Sequence, residues 1–257
     1  MNLDAIAGVA HEPDGAPLGA VALTHGAGGS KQSPMLVKLC DHWARHGWLA
    51  VRYDLPFRRR RPKGPPSGSA NADRAGIAEA VAVMRTLTDG PVIAGGHSYG
   101  GRLTSMAVAD DGVVVEVLTL FSYPLHPPGK PERARTEHLP RIAAPTVFTH
   151  GTSDPFGSLD EIHAAAALIP RPTTIVEVTG GRHDLASKTL DVPALAVDDE
   201  EHLLNDVVEL FGGDAETKKK TSHERRMAPE ESFCVGVCVL GVLRPRHGSF
   251  VPSRFHG

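Results

Sequence analysis

The feature that most constrains this chain is an alternation. Short, nearly uninterrupted apolar runs are each followed by a turn and then by a longer stretch with helical spacing. Runs at 19–24, 48–53, 91–95, 113–121, 145–149 and 173–178 carry many β-branched residues and little polar interruption. Such runs predict strands covered on both faces. Helical spacing appears at 33–46, where Leu36, Val37, Leu39, Cys40 and Trp43 lie on or near one face, and at 73–87, where Ile77, Val81 and Met84 form a stripe. Further helices are expected at 102–109, 159–169 and 194–211. Strands alternating with helices predict an α/β fold with a mostly parallel central sheet and helices on both faces. Ligands bind such sheets beyond the carboxyl ends of the strands. Glycine-rich turns at 25–29, 95–101 and 180–181 fall at those ends.

With 257 residues, one such domain is expected over 1–212. Residues 213–257 read differently. A polar, charged stretch with Lys218-Lys219-Lys220 is followed by an apolar segment and Arg-Pro-Arg-His, without strand–helix rhythm. This predicts a poorly ordered tail or, alternatively, a segment that binds a partner. The longest apolar stretch, 235–243, is under half of the roughly 20 residues that a membrane span needs. No basic region followed by an apolar run opens the chain, so no secretory signal is expected. Net charge is −3, which argues against a nucleic-acid partner. Three cysteines, Cys40, Cys234 and Cys238, lack metal-type pairing, so a reduced cytoplasmic protein without a metal site is expected.

The chemistry centres on Gly96-His97-Ser98-Tyr99-Gly100, set between a strand and a helix. That context suits a nucleophile elbow, in which a sharp turn exposes a serine oxygen at a helix N-terminus. A serine hydroxyl needs a base to take its proton, and the base needs a group to orient it. In this arrangement acid and base follow the nucleophile in the order serine, acid, histidine. Asp154, after the strand at 145–149, is the acid candidate; Asp54 and Asp160 are weaker alternatives. His183, after the last strand, is the base candidate. Asp184 adjoins His183, and a sequence neighbour seldom reaches its partner's ring in this geometry. Acyl transfer builds charge on a carbonyl oxygen, which two backbone amides can hold. The candidates are Tyr99, after the nucleophile, and Ala27 or, less well placed, Gly28 in the 25–29 loop. His25 is expected to brace that loop. The loop lacks Gly-x-Gly-x-x-Gly and Gly-Lys-Ser/Thr patterns, so nucleotide binding ranks low.

Several longer motifs recur in order: Thr24 to Gly29, Arg52-Tyr53-Asp54-Leu55-Pro56-Phe57-Arg58, Gly95 to Arg102, Ser122-Tyr123-Pro124-Leu125-His126-Pro127, His150 to Gly157 and Gly180 to Leu185. Together they resemble the α/β-hydrolase family that includes the Tex30/KANL3-like proteins, often grouped with dienelactone-hydrolase-like proteins. The resemblance implies an α/β-hydrolase fold and supports Ser98, Asp154 and His183 as catalytic residues, with no cofactor. Dienelactone hydrolases carry cysteine at the elbow where this chain has Ser98. Some eukaryotic relatives are subunits of chromatin complexes, which sets a non-catalytic scaffold beside the enzyme as the competing expectation.

Only residues 123–144, rich in proline, separate two successive strand candidates where many such enzymes insert a lid. No lid domain is expected, and the substrate expected at an open site is a small ester, thioester or lactone. Arg58-Arg59-Arg60-Arg61 follows a strand end. It reads either as a solvated basic loop or as an anion site in which Arg58 and Arg59 grip a substrate carboxylate or phosphate.

Overall fold

A computed structural model describes residues 3–66 and 69–185. The expected helix at 194–211, the boundary at 212 and the tail at 213–257 lie outside the described residues.

Among the described residues, seven strands form one sheet: β1 (Gly8–His11), β2 (Ala20–Thr24), β3 (Leu49–Tyr53), β4 (Val92–His97), β5 (Val117–Phe121), β6 (Thr146–Gly151) and β7 (Thr173–Val178). Five helices join them: α1 (Pro34–Arg45), α2 (Pro56–Arg60), α3 (Ala70–Arg85), α4 (Tyr99–Asp110) and α5 (Leu159–Ala166). The strand order is β1-β3-β2-β4-β5-β6-β7, and only β1 runs antiparallel. This is the expected mostly parallel sheet with one added edge strand.

The apolar runs are nearly continuous because alternate residues feed two cores. In β2, Ala20 and Ala22 pack on one side while Val21 and Leu23 pack on the other. The first core gathers Ile77, Ala80 and Met84 of α3, Leu103 and Ala107 of α4, and Ile162 and Ala165 of α5. The second gathers Leu36, Leu39, Cys40 and Trp43 of α1. Helices therefore cover both faces, as the sequence predicts.

Two local expectations change. The apolar run at 113–121 yields a strand only from Val117, because β5 pairs with β4 from Ile93↔Val117 onward. Val113 and Val115 are buried as a connector, while Val114 is 71% exposed. The second change is β1 itself, a half-buried edge strand too short to announce its period.

The parallel register aligns the strand ends that matter. Thr24 pairs with Tyr53 and Gly96, His97 pairs with Phe121, and Gly151 pairs with Val178. The loops after β2, β4, β6 and β7 thus leave the sheet along one edge. Between β5 and β6 lie only two 3₁₀ turns, Pro131–Arg133 and Leu139–Arg141, so no lid domain is inserted between these strands.

One buried contact in this connector carries a stability prediction. His138 is 4% exposed and its Nε2 shares a 2.7 Å hydrogen bond with Ser105 Oγ on α4. Burial lowers its pKa to about 4, with the nearby Arg102 charge adding to the shift. Its folded pKa lies below its unfolded value of about 6.5, so the unfolded chain binds the extra proton first as pH falls. Stability is full above pH 6.5 and is lost downward towards pH 4. This single group is expected to lower the unfolding free energy by roughly 2 kcal/mol between pH 7 and pH 5. Urea melts at the two pH values check it. His138→Gln, which keeps a polar partner for Ser105 but does not titrate, is expected to flatten that slope.

Candidate active site

Between the end of β4 at His97 and the start of α4 at Tyr99 only one residue is available to turn the chain. Ser98 does so with φ 50° and ψ −115°. This left-handed backbone costs a non-glycine residue about 1–3 kcal/mol and persists only when its surroundings enforce it. Here the Ser98 amide donates to Phe121 O at 2.8 Å, and the Arg102 amide donates to Ser98 O at 2.9 Å. The flanking glycines are sterically required. A Cβ on Gly96 would lie 2.4 Å from Thr24 O, and one on Gly100 would lie 2.6 Å from His25 O. Both obstacles are backbone atoms.

The loops after β6 and β7 interlock. Ser153 N donates to Gly181 O at 2.8 Å, and Gly180 N donates to Thr152 Oγ1 at 2.8 Å. The base loop then closes in a tight turn, Leu185 N donating to Arg182 O at 2.8 Å, while the buried Leu185 side chain anchors in the second core. This stitching sets Asp154 opposite His183. Nδ1 of His183 lies 2.8 Å from Asp154 Oδ2 and 3.1 Å from Oδ1, and Nε2 lies 2.8 Å from Ser98 Oγ. A carboxylate can only accept, so Nδ1 carries the proton and Nε2 presents its lone pair to the serine hydroxyl. Asp154 is 6% exposed, and its Oδ1 also accepts the Phe156 amide at 2.9 Å.

The structure therefore brings Ser98, His183 and Asp154 into one hydrogen-bonded chain. The alternative acids lie apart from it. Asp54 accepts the Lys31 amide at 2.7 Å and sits 3.4 Å from His25 Nε2. Asp160 is exposed in the first turn of α5, and Asp184 is exposed beside a ring whose Nδ1 Asp154 already holds.

The 25–29 loop lies against the elbow. A Cβ on Gly26 would come 3.4 Å from Ser98 Cβ, whereas one on Gly28 would meet open space. His25 is fully buried and, as expected, braces the loop. Its Nδ1–H donates to Gly26 O at 2.9 Å, and its Nε2 accepts the Leu55 amide at 3.2 Å. Burial lowers its pKa, consistent with this neutral tautomer. Tyr99, whose amide opens α4, is fixed by its phenol, which donates to Asp73 Oδ2 at 2.9 Å, and by an edge-on contact with Phe57. Burial and the Asp73 carboxylate push the Tyr99 phenol well above its ordinary pKa.

Arg58 and Arg59, which the sequence reads as a solvated basic loop or an anion site, both have protein partners. Arg58 is only 5% exposed, and its guanidinium donates to Ala27 O at 2.8 Å, Gly64 O at 3.1 Å and Arg61 O at 3.2 Å. It stacks over Phe57 and braces the loop from behind instead of offering an open fork. Arg59 turns towards α3, where it meets Glu79 at 3.8 Å and donates to Ala5 O. The basic run is partly folded inward because Pro56 at the first turn starts α2 directly after β3.

Three further residues shape the site. Phe156 stacks on the His183 ring, with centroids 4.1 Å apart and planes 29° apart. His150, fully buried, donates from Nε2 to Gly157 O at 2.9 Å and ties down the far end of the acid loop. Burial lowers its pKa, so it remains a neutral brace 3.9 Å from Asp154. His97, inside the elbow motif, reaches the backbone of His183. The sequence offers one signal for Phe156, its place two residues after the acid, where an Asp side chain accepts a backbone amide. Among the described residues, no group of three His, Cys, Asp or Glu side chains could hold a metal ion, and no helix is long and apolar enough to cross a membrane.

Solved structures share this architecture. Est1E from Butyrivibrio proteoclasticus superposes with a TM-score of 0.62 at 14% identity, over 79% of this chain and 94% of that one. A dienelactone hydrolase from Anabaena variabilis gives 0.57 at 20% identity, over 76% and 90%. An α/β serine hydrolase without lid from Xanthomonas campestris gives 0.56 at 16% identity, over 81% and 90%. Likenesses at these identities bear on the fold. At the level of sequence, the family described as "Alpha/beta hydrolase domain" matches residues 18–196, most of the chain, and the chain belongs to that family.

Proposed function

We propose that this chain is a serine hydrolase that cleaves small esters, thioesters or lactones through an acyl-enzyme on Ser98. The observation that carries the reading is the unbroken contact chain, Ser98 Oγ to His183 Nε2 at 2.8 Å and His183 Nδ1 to Asp154 Oδ2 at 2.8 Å, at a strained elbow. His183 Nε2 takes the Ser98 proton as Oγ attacks the substrate carbonyl. The Ala27 and Tyr99 amides receive the oxyanion, a role in which losing one donor costs about 3 kcal/mol. The tetrahedral intermediate collapses, and His183 returns the proton to the departing alcohol, thiol or alkoxide. Water, deprotonated by His183, then attacks the acyl-enzyme, and collapse releases the acid and restores Ser98. No cofactor enters these steps.

The short 122–145 connector supports an open site and small substrates. So do the names of two structural neighbours, an enzyme described with bound ferulic acid and a dienelactone hydrolase. We further place the protein with the Tex30/KANL3-like, dienelactone-hydrolase-like group and in the cytoplasm, without a nucleic-acid partner.

A fluorophosphonate probe tests the reading. Stoichiometric labelling is expected, with the adduct on the peptide that holds Ser98, together with hydrolysis of p-nitrophenyl acetate and butyrate. A folded protein that neither labels nor turns over would overturn it in favour of a scaffold role. Rates climbing steadily to long acyl chains would overturn the small-substrate part.

A further inference from the structure

The residue just before the nucleophile has a role that no hydrogen-bond chain of the triad uses. His97 is the last residue of β4, and its half-buried ring lies between the loops that follow β2 and β7. Its Nε2 lies 2.7 Å from the backbone carbonyl of His183. A carbonyl accepts, so Nε2 carries the proton and donates. Across the ring, Nδ1 faces Gly26, where an added Cβ would lie only 2.8 Å away. The two imidazoles pass with centroids 5.3 Å apart and planes tilted by 48°. One side chain thus touches the oxyanion-side loop on one edge and the base loop on the other, and its own backbone is continuous with Ser98.

Resting on the hydrolase reading above, we infer that His97 is a positioning residue, a strut that fastens the base loop to the elbow and sets the distance from His183 Nε2 to Ser98 Oγ.

Three observations support the inference. The base loop leaves the edge strand β7, and its other ties run sideways to the acid loop through Gly180 and Gly181. Those ties fix His183 relative to Asp154. The His97 bond ties the base-loop backbone to the elbow, beside the reacting contact between His183 and Ser98 themselves. Second, the donor is of the right kind. Burial and the neighbouring His183 lower the His97 pKa, so the ring stays neutral near pH 7, with its one proton committed to the carbonyl. Third, Gly26 admits the ring edge only because it lacks a side chain. A misplacement of about 1 Å between base and nucleophile can cost roughly 100-fold in rate.

The test compares His97→Leu with His97→Gln. Leucine fills similar space without a donor. The glutamine amide reaches about as far as Nε2 and can donate to the same carbonyl. Expected for His97→Leu is a fall in kcat of about 10- to 100-fold with KM within about twofold, and a parallel fall in fluorophosphonate labelling rate. His97→Gln is expected to recover to within about threefold of the parent. The downfield Nδ1–H proton resonance of His183 is expected to broaden or vanish in the leucine variant and to persist in the glutamine variant. Urea melts establish that both variants fold. A folded leucine variant with unchanged kcat and an unchanged proton resonance overturns the strut. So does a glutamine variant no better than leucine. The proton resonance needs no turnover. If the parent protein proves inert, the hydrolase reading fails alone, and the strut still stands or falls on whether that resonance depends on the His97 donor.

Discussion

Replacing Ser98 by alanine is expected to lower kcat for a short ester by roughly 10⁴- to 10⁶-fold while leaving the protein folded. The size follows from how the three groups work together. Without Oγ no acyl-enzyme forms, and His183 and Asp154 have nothing to activate. What survives is substrate binding and the oxyanion amides, worth about 10³- to 10⁴-fold over water in comparable sites. The fold should be little affected, because the backbone contacts that hold the elbow come from amides and glycines. Alanine pays the same left-handed φ that serine does. Groups acting as a unit are non-additive, so Ser98→Ala combined with His183→Ala is expected to be scarcely slower than either alone. Steady-state kinetics on p-nitrophenyl butyrate, with urea melts as the folding control, check both statements. Retention of a tenth of the parent kcat would require another nucleophile. Ser122 also has positive φ and directly follows β5, but its side chain is fully buried, so it offers no alternative route.

Why Ser98, Asp154 and His183 are legible in the sequence, and other residues are not, has a physical basis. Each of the three stands where a parallel strand gives way to its loop, and a strand buried on both faces writes a long apolar run. Runs such as those of β2 and β4 mark the sheet edge, and with it the place where chemistry collects. The elbow writes a second signal, because Gly96 and Gly100 must be small to pass the backbones of Thr24 and His25. Chain order together with the strand end before it favours Asp154, with Asp54 and Asp160 left as weaker alternatives until the hydrogen bond to His183 is seen. Arg58 shows the limit. Four successive arginines look like a solvated or ligand-facing run, because sequence carries no sign of which side chain a short helix turns inward. Only the three-dimensional return of the 25–29 loop makes Ala27 O available to accept a hydrogen bond from the buried guanidinium. Likewise His97 and Phe156 act on His183 across 86 and 27 positions of chain, contacts that no local pattern encodes. The edge strand β1 escapes for another reason: four half-buried residues carry too little alternation to separate from a loop.

Asp154→Asn is expected to lower kcat by roughly 10⁴-fold with little change in KM or stability, the magnitude seen when the same exchange is made in a serine-protease triad. The local geometry determines how this loss arises. Asp154 Oδ1 accepts the Phe156 amide at 2.9 Å, while Oδ2 makes the 2.8 Å contact with His183 Nδ1. An asparagine keeps its carbonyl oxygen on the Phe156 amide, because an amide NH₂ there would face another donor. The NH₂ then occupies the Oδ2 position and donates to His183 Nδ1. The imidazole must answer with a lone pair at Nδ1, which moves its proton to Nε2. In that tautomer Nε2 cannot accept the Ser98 proton, and the serine stays a neutral alcohol. The carboxylate that would stabilise the imidazolium is lost at the same time. The acid loop should survive, since the Phe156 turn and the His150 bond to Gly157 O are untouched. Asp154→Ala differs in kind, because it orphans the Phe156 amide as well, and it should lose stability along with activity. Kinetics and melts on the two variants separate these effects, and the downfield Nδ1–H resonance of His183 is expected to be absent in both. An asparagine variant with more than a tenth of the parent kcat would place the orienting acid elsewhere, and Asp184→Asn would then be the exchange to make.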